Sequence, residues 1–299
     1  MSATPADQET AQEVTQADLA SLFDLEQVDE EVWNGRSDVL DLPQLFGGQL
    51  VGQSLVAAGR SAGPRLTVHP GHTSFLRPGA SGQPIRYVVT ELHSGRSRAV
   101  RDVSAWQEDR LLCRTLVSTS ADDQAGIEHS RPAPPGAGPE DAVALVELAA
   151  EDGGLGPWWH QFDAIEIRIA QGAPEPSPAR SAAPPSLVWM RTTQPLPDDP
   201  LVHRAAVAYA SDLMLMSTAV AAHGVPVGHE STLAREFWGI SLDHSVWFVD
   251  RVVADEWMLY EQVSPSSHAG RALIQAAVFD RAGRAVGQVA QEGLIRRQR

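Results

Sequence analysis

Two hydrophobic periods alternate along the chain, one helical and one of alternate residues. Between residues 48 and 60, Leu50, Val51, Leu55, Ala57 and Ala58 give a helix one apolar side. Gly47 and Gly48 open it, and its small residues suit close packing against a sheet. Upstream, LFDLEQVDEEVWNGRSD predicts one strand running into a loop. Downstream, RLTVHPGHTSFLRPG, PIRYVVTELHSG, RSRAVRDVSAWQEDR and LLCRTLVSTS predict four strands, with EDR as a hairpin tip. One helix followed by antiparallel strands implies a sheet wrapped around that helix. The plan then repeats. FDAIEIRIAQ, with Ile165, Ile167 and Ile169 on one face, and SLVWMRTTQ predict strands. A long helix is predicted over 201–224. FWGISLDHSVWFVDR, EWMLYEQVSP, GRALIQAAVFDRAG and RAVGQVAQEGLIRR predict four more strands.

The two runs correspond in detail. HTSFL from His72 matches HSVWF from His244, and the turn at Gly95 and Arg96 matches Gly270 and Arg271. The tip at Asp109 and Arg110 answers Ala282 and Gly283. A duplicated helix-and-sheet unit is expected. The expected division is a flexible polar tail over 1–17, an N-terminal unit over 18–120, a Pro-rich linker over 121–156 and a C-terminal unit over 157–299. His72 and His244, at matching places, are expected to share a structural role.

One carboxylate breaks the pattern. Asp199 can cap the 201–224 helix, Pro200 suits its first position, and Gly224 and Pro226 end it. On a helical period Asp212 shares a face with Ala205, Ala208, Tyr209, Leu215, Met216 and Ala219. A charge on that stripe is costly unless it is paired or used. Two readings fit the pattern: an Asp at the rim reaching water, or an Asp held there for chemistry. The first helix, with Gly47, Gly48 and Gln49, offers no acidic counterpart. A group present in one half alone is the better candidate for chemistry.

Composition narrows the chemistry. The 299 residues carry a formal charge of −15, which argues against nucleic acid and anionic membrane as partners. All 23 basic residues are arginine, so Schiff-base and P-loop lysines are excluded. Cys113 is the single cysteine and lies in an apolar run, which excludes an intramolecular disulfide and suggests a reducing, cytoplasmic setting. No signal peptide or spanning segment is expected. The string GRSAG fits the serine-hydrolase pattern, but a helix precedes it and a strand follows, the reverse of a nucleophile elbow. His69 and His72 have no further ligands nearby in sequence, so no metal is expected, and no cofactor-binding glycine pattern occurs.

Five motifs in order, LFGGQLVGQSLVAAG, FLRPG, YASDL, LDHSVWF and QEGLIR, resemble the type II acyl-CoA thioesterases, the bacterial TesB-like enzymes. The resemblance covers residues 25–296. It implies an α+β double hotdog, two tandem helix-wrapped antiparallel sheets in one chain. It implies hydrolysis of medium- to long-chain fatty acyl-CoA, with water positioned by Asp212, Ser241 and Gln291, and no cofactor. Ser241 stands where the family often has Thr, and Val249 and Asp250 replace a common His-Arg pair. Paired hotdogs usually associate further, so a homo-oligomer is expected. Two alternatives stay open. DDPLVHRAA faintly resembles the Asp/His motif of hotdog enoyl-CoA hydratases, and a non-catalytic acyl-CoA-binding module is the other. An anionic CoA needs arginines; Arg77, Arg96, Arg98, Arg101 and Arg271 are available, with none singled out.

Overall fold

The computed structural model describes residues 18–38, 40, 42–122, 126–155, 162–170 and 183–298. The 1–17 tail and the Pro-rich 171–182 segment lie outside them. The first half contains α1 (Leu19–Leu22), β1 (Glu26–Asp29), β2 (Val32–Gly35), α2 (Gly47–Ala62), β3 (Thr67–Phe75), β4 (Ile85–Ser94), β5 (Arg98–Gln107) and β6 (Arg110–Ser120). The second contains β7 (Val143–Ala144), α3 (Leu145–Glu151), β8 (Ile165–Ala170), β9 (Ser186–Thr192), α4 (Pro200–Ser211), α5 (Leu215–Ala221) and α6 (Glu230–Glu236). It ends with β10 (Phe237–Ser241), β11 (Asp243–Phe248), β12 (Met258–His268), β13 (Arg271–Phe279) and β14 (Ala285–Arg297). The expected single strand near residue 25 is a helical turn and a hairpin. All four β1 residues are exposed, so no alternation marked it.

Among the described residues the strands form one 14-stranded sheet in the order β1-β2-β4-β5-β6-β3-β11-β14-β13-β12-β9-β8-β7, with β10 also paired to β14. Exchanging the halves maps β3 onto β11, β6 onto β14, β5 onto β13, β4 onto β12, β2 onto β9 and β1 onto β8. The antiparallel pair β3–β11 joins them. This is the double hotdog.

The small residues of α2 serve a different contact from the one expected. They face α4, which packs antiparallel to α2. A Cβ on Gly48 would lie 2.5 Å from the Tyr209 carbonyl oxygen, and one on Gly52 2.9 Å from that of Ala205. Backbone cannot step aside as a flexible side chain can. Gly52→Ala is therefore expected to cost about 1–3 kcal/mol in denaturant unfolding, although alanine is the better helix former.

Part of the 121–156 stretch, read as a linker, also covers the outer face of the second half of the sheet. Ala133 N–H donates to the Gly283 carbonyl at 3.0 Å, and Trp189 Nε1 donates to the Ala137 carbonyl at 3.0 Å. Trp189, Trp257 and Phe279 form an apolar cluster under this strap. The same stretch supplies β7, which pairs with β8.

Asp38, between β2 and α2, is 2% exposed, and neither carboxylate oxygen has a hydrogen-bond partner among the described residues. Burial pushes its carboxyl up from 3.8 to about 7, opposed only by a poorly placed Leu40 N–H. The fold favours the protonated form, so this group's stability is present below about pH 4 and lost as pH rises toward about 7. Asp38→Asn is expected to change little near pH 4 and to stabilise at pH 8. The gain is at most roughly 4 kcal/mol, read as a higher unfolding midpoint.

Candidate active site

The helix predicted over 201–224 is two helices. Asp212 is the C-cap of α4 at φ −82°, and Met214 takes a left-handed φ of +67° before α5 begins. A buried methionine in that conformation is strained, and such strain concentrates at functional sites. The break swings Asp212 off the helix stripe toward the N-terminus of α2. A Cβ on Gly47 would lie 2.7 Å from Asp212 Oδ2, and the Gly48 N–H donates to the carboxylate. Glycine is therefore needed at 47 to admit the acid. Phe46 gives α2 no side-chain cap, so its first-turn N–H groups point at this spot with the positive end of the helix dipole.

The run FWGISLDHSVWFVDR is likewise two strands. Ser241 pairs with Gly293 and Ser245 with Ala290, so Leu242, Asp243 and His244 stand opposite Gln291 and Glu292. This bulge matters for direction. Ser241 and His244 are an odd number of residues apart and would face opposite ways in a regular strand; the extra residue turns both toward Gln291. Asp243 pins the bulge, its Oδ1 accepting from the Glu292 N–H at 2.8 Å.

The three residues carried by the resemblance meet here, and a fourth joins them. Ser241 Oγ donates to Asp212 Oδ1 at 3.4 Å, and Gln291 Nε2 donates to Ser241 Oγ at 2.9 Å. His244 Nδ1 lies 2.6 Å from Gln291 Oε1 and 3.8 Å from Asp212 Oδ1, while Nε2 lies 2.9 Å from Ser211 Oγ. With Gln291 Nε2 donating to Ser241, its Oε1 is the acceptor, so His244 carries a proton on Nδ1. The imidazole thus fixes which way the amide points. Burial pushes the Asp212 carboxyl above the usual carboxylate range, opposed by His244, the Gly48 N–H, Ser241 and Gln291. Met216 closes one wall: a Cβ on Gly293 would meet its Cε at 2.6 Å.

The expectation that His72 and His244 share a role fails. His72 is partly buried on the outer face, edge-on to Trp247, with Nδ1 3.1 Å from Ser245 Oγ. His244 is fully buried on the inner face and pairs with Thr73. The letter match is one residue out of register, and one residue reverses a strand side chain. Thr73 is the counterpart that keeps inner faces inner, and its Oγ1 lies 2.9 Å from Thr115 Oγ1, where the other half has His244 and Gln291. Matching the helices by the Gly48–Tyr209 and Gly52–Ala205 contacts sets Leu55, fully buried, in the place of Asp212. Among the described residues the set of Asp212, His244 and Gln291 therefore has no second copy in the first half.

Other candidates are spent on structure. Asp199 Oδ1 caps α4 by accepting from the Leu201 N–H at 2.9 Å, and His203 Nδ1 accepts from the Ala254 N–H at 3.1 Å, so the hydratase-like Asp and His hold backbone. Burial pushes the Cys113 thiol up to about 12, which leaves it inert. Among the described residues no His, Cys, Asp and Glu group could hold a metal ion.

Residues 139–295 match the acyl-CoA thioesterase C-terminal domain family, and 41–121 match the acyl-CoA thioesterase N-terminal domain family. Acyl-coenzyme A thioesterase 8 of Mus musculus is 31% identical, over 93% of this chain and 88% of its own. Acyl-CoA thioesterase 2 of Haemophilus influenzae is 28% identical, over 93% of this chain and 96% of its own. The crystal structure of an acyl-CoA thioesterase II, TesB2, from Mycobacterium marinum superposes with a TM-score of 0.78 at 34% identity, covering 94% of this chain and 98% of that one. Matched in both halves, and related along nearly its whole length to these proteins, the chain belongs to the type II acyl-CoA thioesterase family.

Proposed function

We propose that the chain hydrolyses medium- to long-chain fatty acyl-CoA to the free acid and CoA, with water positioned by Asp212, Ser241 and Gln291. One observation carries the reading: a buried carboxylate, a hydroxyl and an amide converge at a helix break, facing the first N–H groups of a 16-residue helix. Water held between Asp212 and Ser241 attacks the thioester carbonyl carbon and gives a proton to Asp212. The oxyanion forms against the first turn of α2. Its collapse breaks the C–S bond, and the proton passes from Asp212 to the departing sulfur. A thiol with a pKa of about 8.5 leaves readily, so no covalent acyl-enzyme is needed. Gln291, oriented by His244, holds Ser241.

In this reading the 157–299 unit supplies the reacting side chains, and the 18–120 unit supplies the glycines that open the site. The chain works in the cytoplasm, as its free, buried Cys113 supports, and as a homo-oligomer. Incubation with a saturated acyl-CoA and a thiol reagent tests the activity. Stoichiometric free thiol is expected. Binding without thiol release would leave an acyl-CoA-binding module, and hydration of an enoyl-CoA without thiol release would leave a hydratase.

A further inference from the structure

A CoA nucleotide carries several phosphate charges, and a chain of charge −15 needs a local cluster of free cations to receive it. Four of the arginines that stand out in the sequence are engaged or distant. Arg101 is buried and bonds Ser61, His93, Val100 and Ser94. Arg271 pairs with Glu292, and Arg77 Nη1 donates to the Leu111 carbonyl. Arg98 pairs with Ser120, at the opposite end of β6 from Cys113, the partner of Phe75 beside the site.

The end of β14 is different. Arg296 pairs with Trp238 and Arg297 with Phe237, both arginines are exposed, and neither has an acidic partner among the described residues. Trp238 is 48% exposed, an unusual position for so large an aromatic surface. Among the described residues strand β10 pairs with β14 alone. The Phe75 N–H donates to the Leu242 carbonyl at 3.0 Å, and the pairing of β3 with β11 begins at Ser74 and Asp243. Past that point β10 has an open edge running from Ser241 through exposed Gly239 to Trp238, about 10 Å along the strand. Register sets Trp238 beside Arg296 on one face and Arg297 with Gly239 and Ser241 on the other, so cations flank both sides of that edge. Arg235 at the end of α6 donates to Thr232 Oγ1 at 2.7 Å and faces Asp152, so it adds no free cation.

We propose that the free end of the β10–β14 ribbon docks the nucleotide of CoA. Trp238 stacks on the adenine, and Arg296 and Arg297 hold phosphates. The pantetheine arm follows the open edge past Gly239 to bring the thioester beside Ser241. Arginine suits phosphate because its planar fork donates in pairs, and an indole face suits any base. The inference rests on acyl-CoA being the substrate.

Two thioesters of one acyl chain, on CoA and on pantetheine, separate the possibilities. Both are given to the wild type, to Trp238→Ala and to the double variant Arg296→Gln, Arg297→Gln. For acyl-CoA the KM is expected to rise roughly fivefold or more in each variant. Turnover of acyl-pantetheine is expected to stay at the wild-type level. Added salt is expected to raise the wild-type KM for acyl-CoA more steeply than that of the double variant. An unchanged KM for acyl-CoA in both variants overturns the dock, as does equal damage to both thioesters. A wild type that cleaves neither thioester overturns the hydrolase reading itself.

Discussion

Asp212→Asn is expected to lower kcat for acyl-CoA by about 10²–10⁴-fold, the range set by losing a positioned general base. Asparagine keeps the size of the side chain and its contacts with Ser241 and Gly48, so substrate binding is expected to survive. Two readouts separate this from damage to the fold. First, burial holds the Asp212 carboxyl above its usual range, so the ionised form costs stability at neutral pH. The Asn variant is therefore expected to melt no lower than the wild type at pH 7. Second, the base acts only when ionised. Wild-type kcat/KM is thus expected to fall as pH drops through a value above that of an ordinary carboxylate, and the residual activity of the variant is expected to lack that limb.

His244→Leu is expected to lower kcat about 10–100-fold with little change in KM, the worth of one hydrogen bond to a charged or strongly polarised group. The imidazole touches neither water nor thioester in this account; it orients Gln291, which orients Ser241. Removing it frees the amide to turn its oxygen toward the hydroxyl. His72→Leu, one residue away in the letter match and on the other face of the sheet, is expected to leave kcat unchanged. Equal losses from both substitutions would mean that His244 acts only as core packing.

Much of the fold was legible because burial on one face writes itself into alternate positions. Ile165, Ile167 and Ile169 mark β8 without ambiguity, and the repeat of helix and strands gives the double unit. The site was less legible, for four physical reasons. The helix break at Met214 carries no glycine or proline, so the periodic stripe of Ala205, Ala208 and Tyr209 ran through it unbroken. The bulge at Leu242 and Asp243 is marked by no glycine or proline, yet it decides that Ser241 and His244 look the same way. His244 was hidden by a plausible letter match with His72, whose flaw is a single residue of register. Gly47 and Gly48 read as packing glycines, and the carboxylate that Gly47 makes room for sits more than a hundred residues away. The outer-face strap between Arg131 and Ala142 is proline-rich and looks like a connector until Trp189, Trp257 and Phe279 are seen beneath it.

The duplicated architecture places Thr73, Thr115 and Leu55 where the other half has His244, Gln291 and Asp212. All three are buried and engaged in packing or with each other. The proposed mechanism therefore has one turnover site per chain, fed by water. Single-turnover hydrolysis in ¹⁸O-labelled water, with enzyme in excess over acyl-CoA, tests that claim most directly. Attack by a water that Asp212 deprotonates predicts one ¹⁸O in the fatty acid of the first turnover and none in the peptide containing Asp212. Label retained in the Asp212 carboxylate, with an unlabelled first product, would mean that the carboxylate itself attacks the thioester.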